Sequence, residues 1–113
     1  MLLSQVEFLK HILLECNYLI NEVNDNTIED LISNERLNRA VCRSLEIIGE
    51  ASSKIHPDLK QKYPSIPWRE LTDIRNKIIH HYFGVDYDII WDTITNDIPS
   101  LKIAIAAILK DNS

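Results

Sequence analysis

The chain is poor in the residues that break or cross-link a fold. Two glycines and four prolines in 113 residues are too few for a disordered chain or for a β-rich fold with many tight turns. Two glycines also leave no glycine-rich loop to cradle a phosphate. The two cysteines, Cys16 and Cys42, stand far apart in no metal-binding or redox spacing. Both fall in apolar helical surroundings and are expected as buried free thiols in a reducing cytoplasm. The longest apolar run, Ile103 to Leu109, is far shorter than the ~20 residues that span a bilayer, so no membrane partner is expected. No basic segment precedes an apolar one near Met1, and no secretory signal is visible. Glu-x-x-His pairs for a di-iron bundle and His-Glu-x-x-His for zinc are both missing. No metal and no cofactor is expected.

What is present suits one soluble globular domain over residues 1–113, with 45% hydrophobic and 26% charged residues. The net charge of −5 argues against indiscriminate nucleic-acid binding, but its distribution is uneven. Residues 1–35 hold one Lys against seven acids, and residues 83–113 hold two Lys against five. Residues 36–82 hold nine Lys or Arg against five acids, with three of the four histidines. A locally basic surface on an acidic protein suits an anionic ligand at one place. For most of these cations, Arg36, Arg39, Arg43, Lys54, Lys60 and Lys62, a solvated helix face is the plainer expectation.

The periodicity is helical throughout. Val6, Leu9, Leu13, Cys16 and Ile20 recur at spacings of three and four and predict a first helix from about Leu2 to Val23. Thr27, with Asp30 three residues on, predicts a capped short helix through Ile32. Ser33-Asn34 offers the next cap, and Leu37, Val41, Leu45 and Ile48 carry a long helix to about Ile55. Gly49 inside it suggests a close helix contact, since glycine costs roughly 1 kcal/mol in a helix interior. His56-Pro57 stops that helix, and one more short turn is expected from Pro57 to Tyr63. Pro64-Ser65-Ile66-Pro67-Trp68 reads as a rigid extended connection. The next helix begins at Pro67 or Trp68, runs to about Tyr82 and ends near Gly84. Asp86 caps a further helix carrying Ile89, Ile90, Trp91 and Ile94. Pro99 either kinks it or starts a last one ending near Lys110. The fold class is all-α, an antiparallel helical bundle.

The chemistry gathers in Arg75-Asn76-Lys77-Ile78-Ile79-His80-His81-Tyr82. A guanidinium holds a phosphate through two hydrogen bonds and balances charge developing on it. An imidazole moves a proton near neutral pH. On a helical wheel Trp68, Leu71, Ile78, Ile79 and Tyr82 fall within about 60° of Arg75. Arg75 is therefore expected on the apolar face, either salt-bridged to Glu46 or Glu50, or at a subunit interface, or facing an anion-binding cleft. His80 falls about 140° away, on the side of Asp73 and Asn76. Either the helix distorts near His80 or the site combines groups from two copies of the chain, and two-fold dimers are the commonest oligomers. His81 is expected in solvent, and Tyr82 returns to the arginine side. His11 and His56 are isolated and are expected as surface or capping residues.

Three blocks carry a family resemblance: Leu45-Glu46-Ile47-Ile48-Gly49-Glu50-Ala51; Ile66-Pro67-Trp68; and Arg75-Asn76 through His80-His81-Tyr82-Phe83, followed by Val85-Asp86 and Trp91. In that order and spacing the chain resembles the HepT-like toxins of the HEPN superfamily (higher eukaryotes and prokaryotes nucleotide-binding domains). The resemblance implies a homodimeric helical bundle of the HEPN type, with the motif of both subunits lining one cleft. It implies a toxin that is a metal-independent endoribonuclease. Arg75 would stabilise the scissile phosphate and His80 would act as acid or base while the 2′-hydroxyl attacks. Asn76 would support the site, and the products would be a cyclic 2′,3′-phosphate and a 5′-hydroxyl. The implied partner is a minimal nucleotidyltransferase antitoxin that adds AMP to Tyr82, placing negative charge where RNA must bind. The implied substrate is RNA, a tRNA or an mRNA.

Two other readings of the same residues remain open at this point. One is a non-catalytic HEPN module that binds a nucleotide or its partner protein and never cuts RNA. The other is a structural helical dimer in which Arg75 is a salt-bridge residue only.

Overall fold

The computed structural model describes residues 2–80 and 86–112, with the backbone alone for residues 75 and 77–80. Among the described residues every regular element is helical: α1 Leu3–Asp25, α2 Ile28–Ser33, α3 Glu35–Ser53, α4 Pro57–Lys62, α5 Trp68–His80, α6 Tyr87–Asp92, a π-helical segment Thr93–Asp97, and α7 Ile98–Asp111. None of these helices is long and apolar enough to cross a membrane.

The caps read from the sequence are in place. Thr27 and Asp30 form a reciprocal capping box on α2. Asn34 Oδ1 accepts from the Leu37 N–H at 3.1 Å to start α3. His56 caps α4, its Nδ1 accepting from the Asp58 N–H at 3.1 Å, with Pro57 in the first turn. Asp86 Oδ1 accepts from the N–H groups of Asp88 and Ile89 at the head of α6. His11 is exposed. The expected C-cap at Gly84 lies outside the described residues.

Contacts between elements fix their directions. Ser44 Oγ donates to the Glu15 carbonyl at 3.5 Å, and Gln5 Oε1 accepts from the His56 N–H at 2.7 Å. Helices α1 and α3 are therefore antiparallel. At the same end Leu2 and Gln5 share a shallow cavity with His56 and Asn112, so α7 runs against α1. Asn112 Nδ2 donates to the Tyr63 hydroxyl at 3.4 Å, while Leu71 and Ile74 line a groove with Thr93 and Asp97. Helix α5 thus runs against both α7 and α3. Its first turn sits at the end holding Leu2 and Asn112, and its last turns reach toward the end where α3 begins.

The core is built from Leu9, Ile12, Cys16 and Leu19 of α1, Leu45 and Ile48 of α3, and Ile105 and Ile108 of α7, all nearly inaccessible. The α1 stripe is rotated from the expected one: Ile12 and Leu19 are buried, whereas Val6, Leu13 and Ile20 are half-buried. Helix α1 packs against α3 on one side and α7 on the other, so its buried arc spreads across the gap between two neighbours. Gly49 is buried on α3, which packs against both α1 and α5.

Of the two expectations for Pro99, the start of a new helix is the one observed. This proline lies in the first turn of α7, directly after the π-helical segment. Proline has no N–H for the carbonyl four residues back, and its ring crowds that carbonyl. The wider turn over Thr93–Asp97 takes up this mismatch. Thr93 Oγ1 donates to the Ile89 carbonyl at 2.9 Å and Thr95 Oγ1 to the Trp91 carbonyl at 2.8 Å, the back-bonding typical of threonine on a helix.

Candidate functional site

The motif lies on the second half of α5, and the first half fixes where that helix stands. The connection before it closes with the Ile66 N–H donating to the Tyr63 carbonyl at 3.3 Å. Trp68 is buried, and its indole Nε1 donates to the same carbonyl at 3.0 Å. The Leu71 N–H donates to the Pro67 carbonyl at 3.0 Å, which starts the helical ladder. Ile66 and Leu71 are buried and Ile74 is half-buried. The link expected as extended is instead a turn over Pro64 and Ser65, closed by that Ile66–Tyr63 bond, and it ends in an aromatic anchor.

The backbone is helical without interruption from Trp68 to His80. Position 75 follows the buried Leu71 by one turn, and position 80 follows the exposed Asn76 by one turn. Asp73, also exposed, belongs to the second of these faces. Positions 75 and 80 therefore stand about 140° apart around one helix axis. The backbone shows no break between positions 75 and 80. Asn76 is the one expected site residue whose side chain is described, and it is exposed. The side chains of Arg75 and His80 lie outside the description, and His81, Tyr82, Phe83, Gly84 and Val85 lie outside the described residues altogether.

The two acids expected as alternative partners of Arg75 lie on α3, the helix packed against α5. Glu46 meets Arg43 at 3.4 Å and Glu50 meets Lys54 at 3.6 Å. Both pairs are intrahelical and at the surface, where such bridges contribute little to stability.

The thiols are set apart from this chemistry. Cys16 is buried and Cys42 half-buried, and both are free. Burial pushes the Cys16 thiol from 9.0 up to about 12, with Glu15 adding to the effect. Burial also raises Cys42, helped by Glu46. Raised thiols are poor nucleophiles at neutral pH. Among the described residues no three His, Cys, Asp or Glu side chains converge as metal ligands.

A feature not expected from the sequence is the groove between α5 and α7, with a volume of about 340 Å³. Ile66, Leu71, Ile98 and Leu101 supply apolar lining, and Glu70 and Asp97 supply its acids. Beyond it, α7 exposes Ile103 (72% accessible), Ala106 and Ala107. The apolar run Ile103–Leu109 carried this signal: a helix apolar all round is a helix that expects neighbours on every side.

Comparison with known proteins shows the family of the chain. Residues 6–108 match the family model described as Ribonuclease HepT-like. A provisionally named RNase of Caldanaerobacter subterraneus subsp. tengcongensis is 45% identical over 103 residues, covering 91% of this chain and 92% of that protein. Another provisionally named RNase, of Methanocaldococcus jannaschii, is 45% identical over 104 residues, covering 92% of this chain and 90% of its own. A protein of Thermococcus cleftensis provisionally named ribonuclease HepT is 53% identical over 74 residues, covering 66% of this chain and 67% of its own. No solved structure matches the chain.

Proposed function

The chain belongs to the HepT-like ribonuclease family, and from that premise we propose that it is an endoribonuclease cutting the RNA backbone without a metal ion, as the toxin of a toxin–antitoxin pair. The observation that carries this reading is the extent of the family match, which spans the whole Arg75–Tyr82 segment together with the helices that hold it.

In this mechanism the Arg75 guanidinium forks two non-bridging oxygens of the scissile phosphate and balances the charge that grows there. The His80 imidazole takes the proton of the ribose 2′-hydroxyl as that oxygen attacks phosphorus. The P–O5′ bond breaks, and the leaving 5′-oxygen takes the proton that the His80 imidazolium has just received, so one histidine serves each cut. A cyclic 2′,3′-phosphate and a free 5′-hydroxyl result, with atoms and protons balanced. Asn76 supports the site from the His80 side of the helix. Two observations favour a homodimeric cleft: the separation of positions 75 and 80 around a continuous helix, and the uncovered apolar face of α7 beside the α5 groove. Regulation by a minimal nucleotidyltransferase fits the same site. AMP added to the Tyr82 hydroxyl would bring a negative charge into the motif that RNA would need.

The test is cleavage of RNA by the purified chain in excess EDTA. The wild type is expected to cut and leave cyclic phosphate ends. Arg75→Ala and His80→Ala are each expected to lower the rate by about 10²–10⁴-fold with unchanged melting temperature. RNA bound but never cut would instead identify a non-catalytic binding module.

A further inference from the structure

The described surface carries one cluster of cations that the motif chemistry does not use. Arg36, Arg39 and Arg43 recur at spacings of three and four on α3, so they share one face within about 60°. All three are exposed. That face lies opposite Leu37, Val41, Ser44 and Ile48, which are buried. Arg39 meets Glu35 at 2.6 Å and Arg43 meets Glu46 at 3.4 Å, with the arginines 75% and 64% accessible. Exposed intrahelical pairs of this kind are weak, so both guanidiniums can exchange their carboxylate for a phosphate.

The position of the stripe is what gives it meaning. Helix α3 packs against α5 and runs against it, so the first half of α3 stands beside the second half of α5, which holds positions 75–80. Ser44 bonds to α1 from one edge of the buried arc, which leaves the Leu45–Gly49 edge to α5, and Arg39 is the arginine nearest that edge. Farther along α3 the same outer face becomes acidic at Glu46 and Glu50. The exposed acids of α6, Asp88 and Asp92, carry negative charge on another element. The cationic lane is therefore confined to the motif end of α3. It is also composed of arginine alone, whereas the cations of α4, at the opposite end, are Lys60 and Lys62. Arginine is the residue that grips phosphate with a fork of donors.

We infer that Arg36, Arg39 and Arg43 form a backbone-binding track that holds the RNA strand flanking the cleaved phosphate; the inference rests on the ribonuclease reading above. The track spans about 10 Å of helix and grips phosphates without reading bases. It explains how an acidic protein holds a polyanion: a short positive lane takes the strand while the remaining surface repels it. These are positioning residues, and they leave the reacting atoms to Arg75 and His80.

The test uses the full chain and a single-stranded RNA oligonucleotide, with steady-state cleavage measured between 50 and 200 mM salt, a range over which phosphate contacts are strongly weakened. The triple variant Arg36→Ala, Arg39→Ala, Arg43→Ala is compared with Lys10→Ala, Lys54→Ala, Lys62→Ala, which removes the same charge away from the motif. The arginine variant is expected to raise KM about tenfold and to reduce the slope of log KM against log salt by about 2, with kcat unchanged. The lysine variant is expected to stay near wild type. Equal effects of the two variants, or an arginine variant with wild-type kinetics, would overturn the track while leaving the ribonuclease reading intact. A wild-type chain that neither binds nor cuts RNA would overturn both. An arginine variant that keeps its RNA kinetics but loses an acidic protein partner would reassign the stripe to that partner and also overturn the track.

Discussion

The two halves of α5 divide the labour of the helix. The first half, from Trp68 to Ile74, is an anchor: Trp68 and Leu71 are buried, and the indole is tied to the Tyr63 carbonyl. The second half, from position 75 to position 80, places Arg, Asn, Lys and His in the last turns. One unbroken backbone joins them. Such a helix transmits position but cannot turn one residue toward another, so Arg75 and His80 keep about 140° between them. The anchor half holds the helix in place, and in the proposed mechanism the other half carries the chemistry and a second copy of the chain completes the site.

The sharpest way to break this comparison is subunit complementation. Arg75→Ala and His80→Ala chains are each inactive by the proposed mechanism. If a site joins Arg75 of one copy to His80 of its partner, a mixed dimer contains one intact site and one doubly damaged site. Random exchange places half the molecules in mixed dimers, so about a quarter of wild-type activity should return on mixing. That is a gain of at least about tenfold over either variant alone, given the 10²–10⁴-fold loss expected for each. No recovery after verified subunit exchange would place both residues in one chain's site and remove the dimeric argument.

A second test addresses the anchor. Leu71 is 4% accessible, and Leu71→Ala is expected to cost about 2–5 kcal/mol of stability. The melting temperature should fall by about 10 °C or more for a domain of this size. Below the new transition, cleavage per folded molecule should remain within a few-fold of wild type. If Leu71→Ala abolished activity in fully folded protein, the halves of α5 would not be separable and the anchor would belong to the site.

Much of this was legible in the sequence because it rests on local rules. The caps at Thr27, Asn34, His56 and Asp86 follow from side chains that bond the backbone two or three residues on. The start of α5 followed from Pro67 and Trp68. Features set by non-local packing were less legible. The α1 stripe turned toward Ile12 and Leu19 because two neighbours share α1, and periodicity within one helix carries no record of where its neighbours stand. The π-helical segment before Pro99 depends on how the chain absorbs one missing N–H, for which a kink and a fresh start were equally plain readings. Of the candidate site, the sequence supplied the residue types and the wheel, and the backbone supplied their continuity. The cationic lane on α3 emerged only once α3 was seen to run against α5.

The smallest expected effect falls at the boundary between the two halves of α5, at Asn76. Its side chain is exposed, so Asn76→Ala removes no buried contact and should change stability by less than about 0.5 kcal/mol. It stands one turn before position 80 on the same face, close enough for its amide to orient an imidazole or a phosphate oxygen there. A supporting residue of that kind contributes through alignment, and the loss of one neutral hydrogen bond is worth about tenfold in rate at most. Asn76→Ala is therefore expected to lower kcat by up to about tenfold, leaving KM and the melting temperature near wild type. Asn76→Asp keeps the shape but adds a negative charge beside the phosphate, and should be the more damaging of the two. Equal activity in all three proteins would show that the exposed face of α5 takes no part in the reaction, and would move the site wholly to the face shared by Leu71 and position 75.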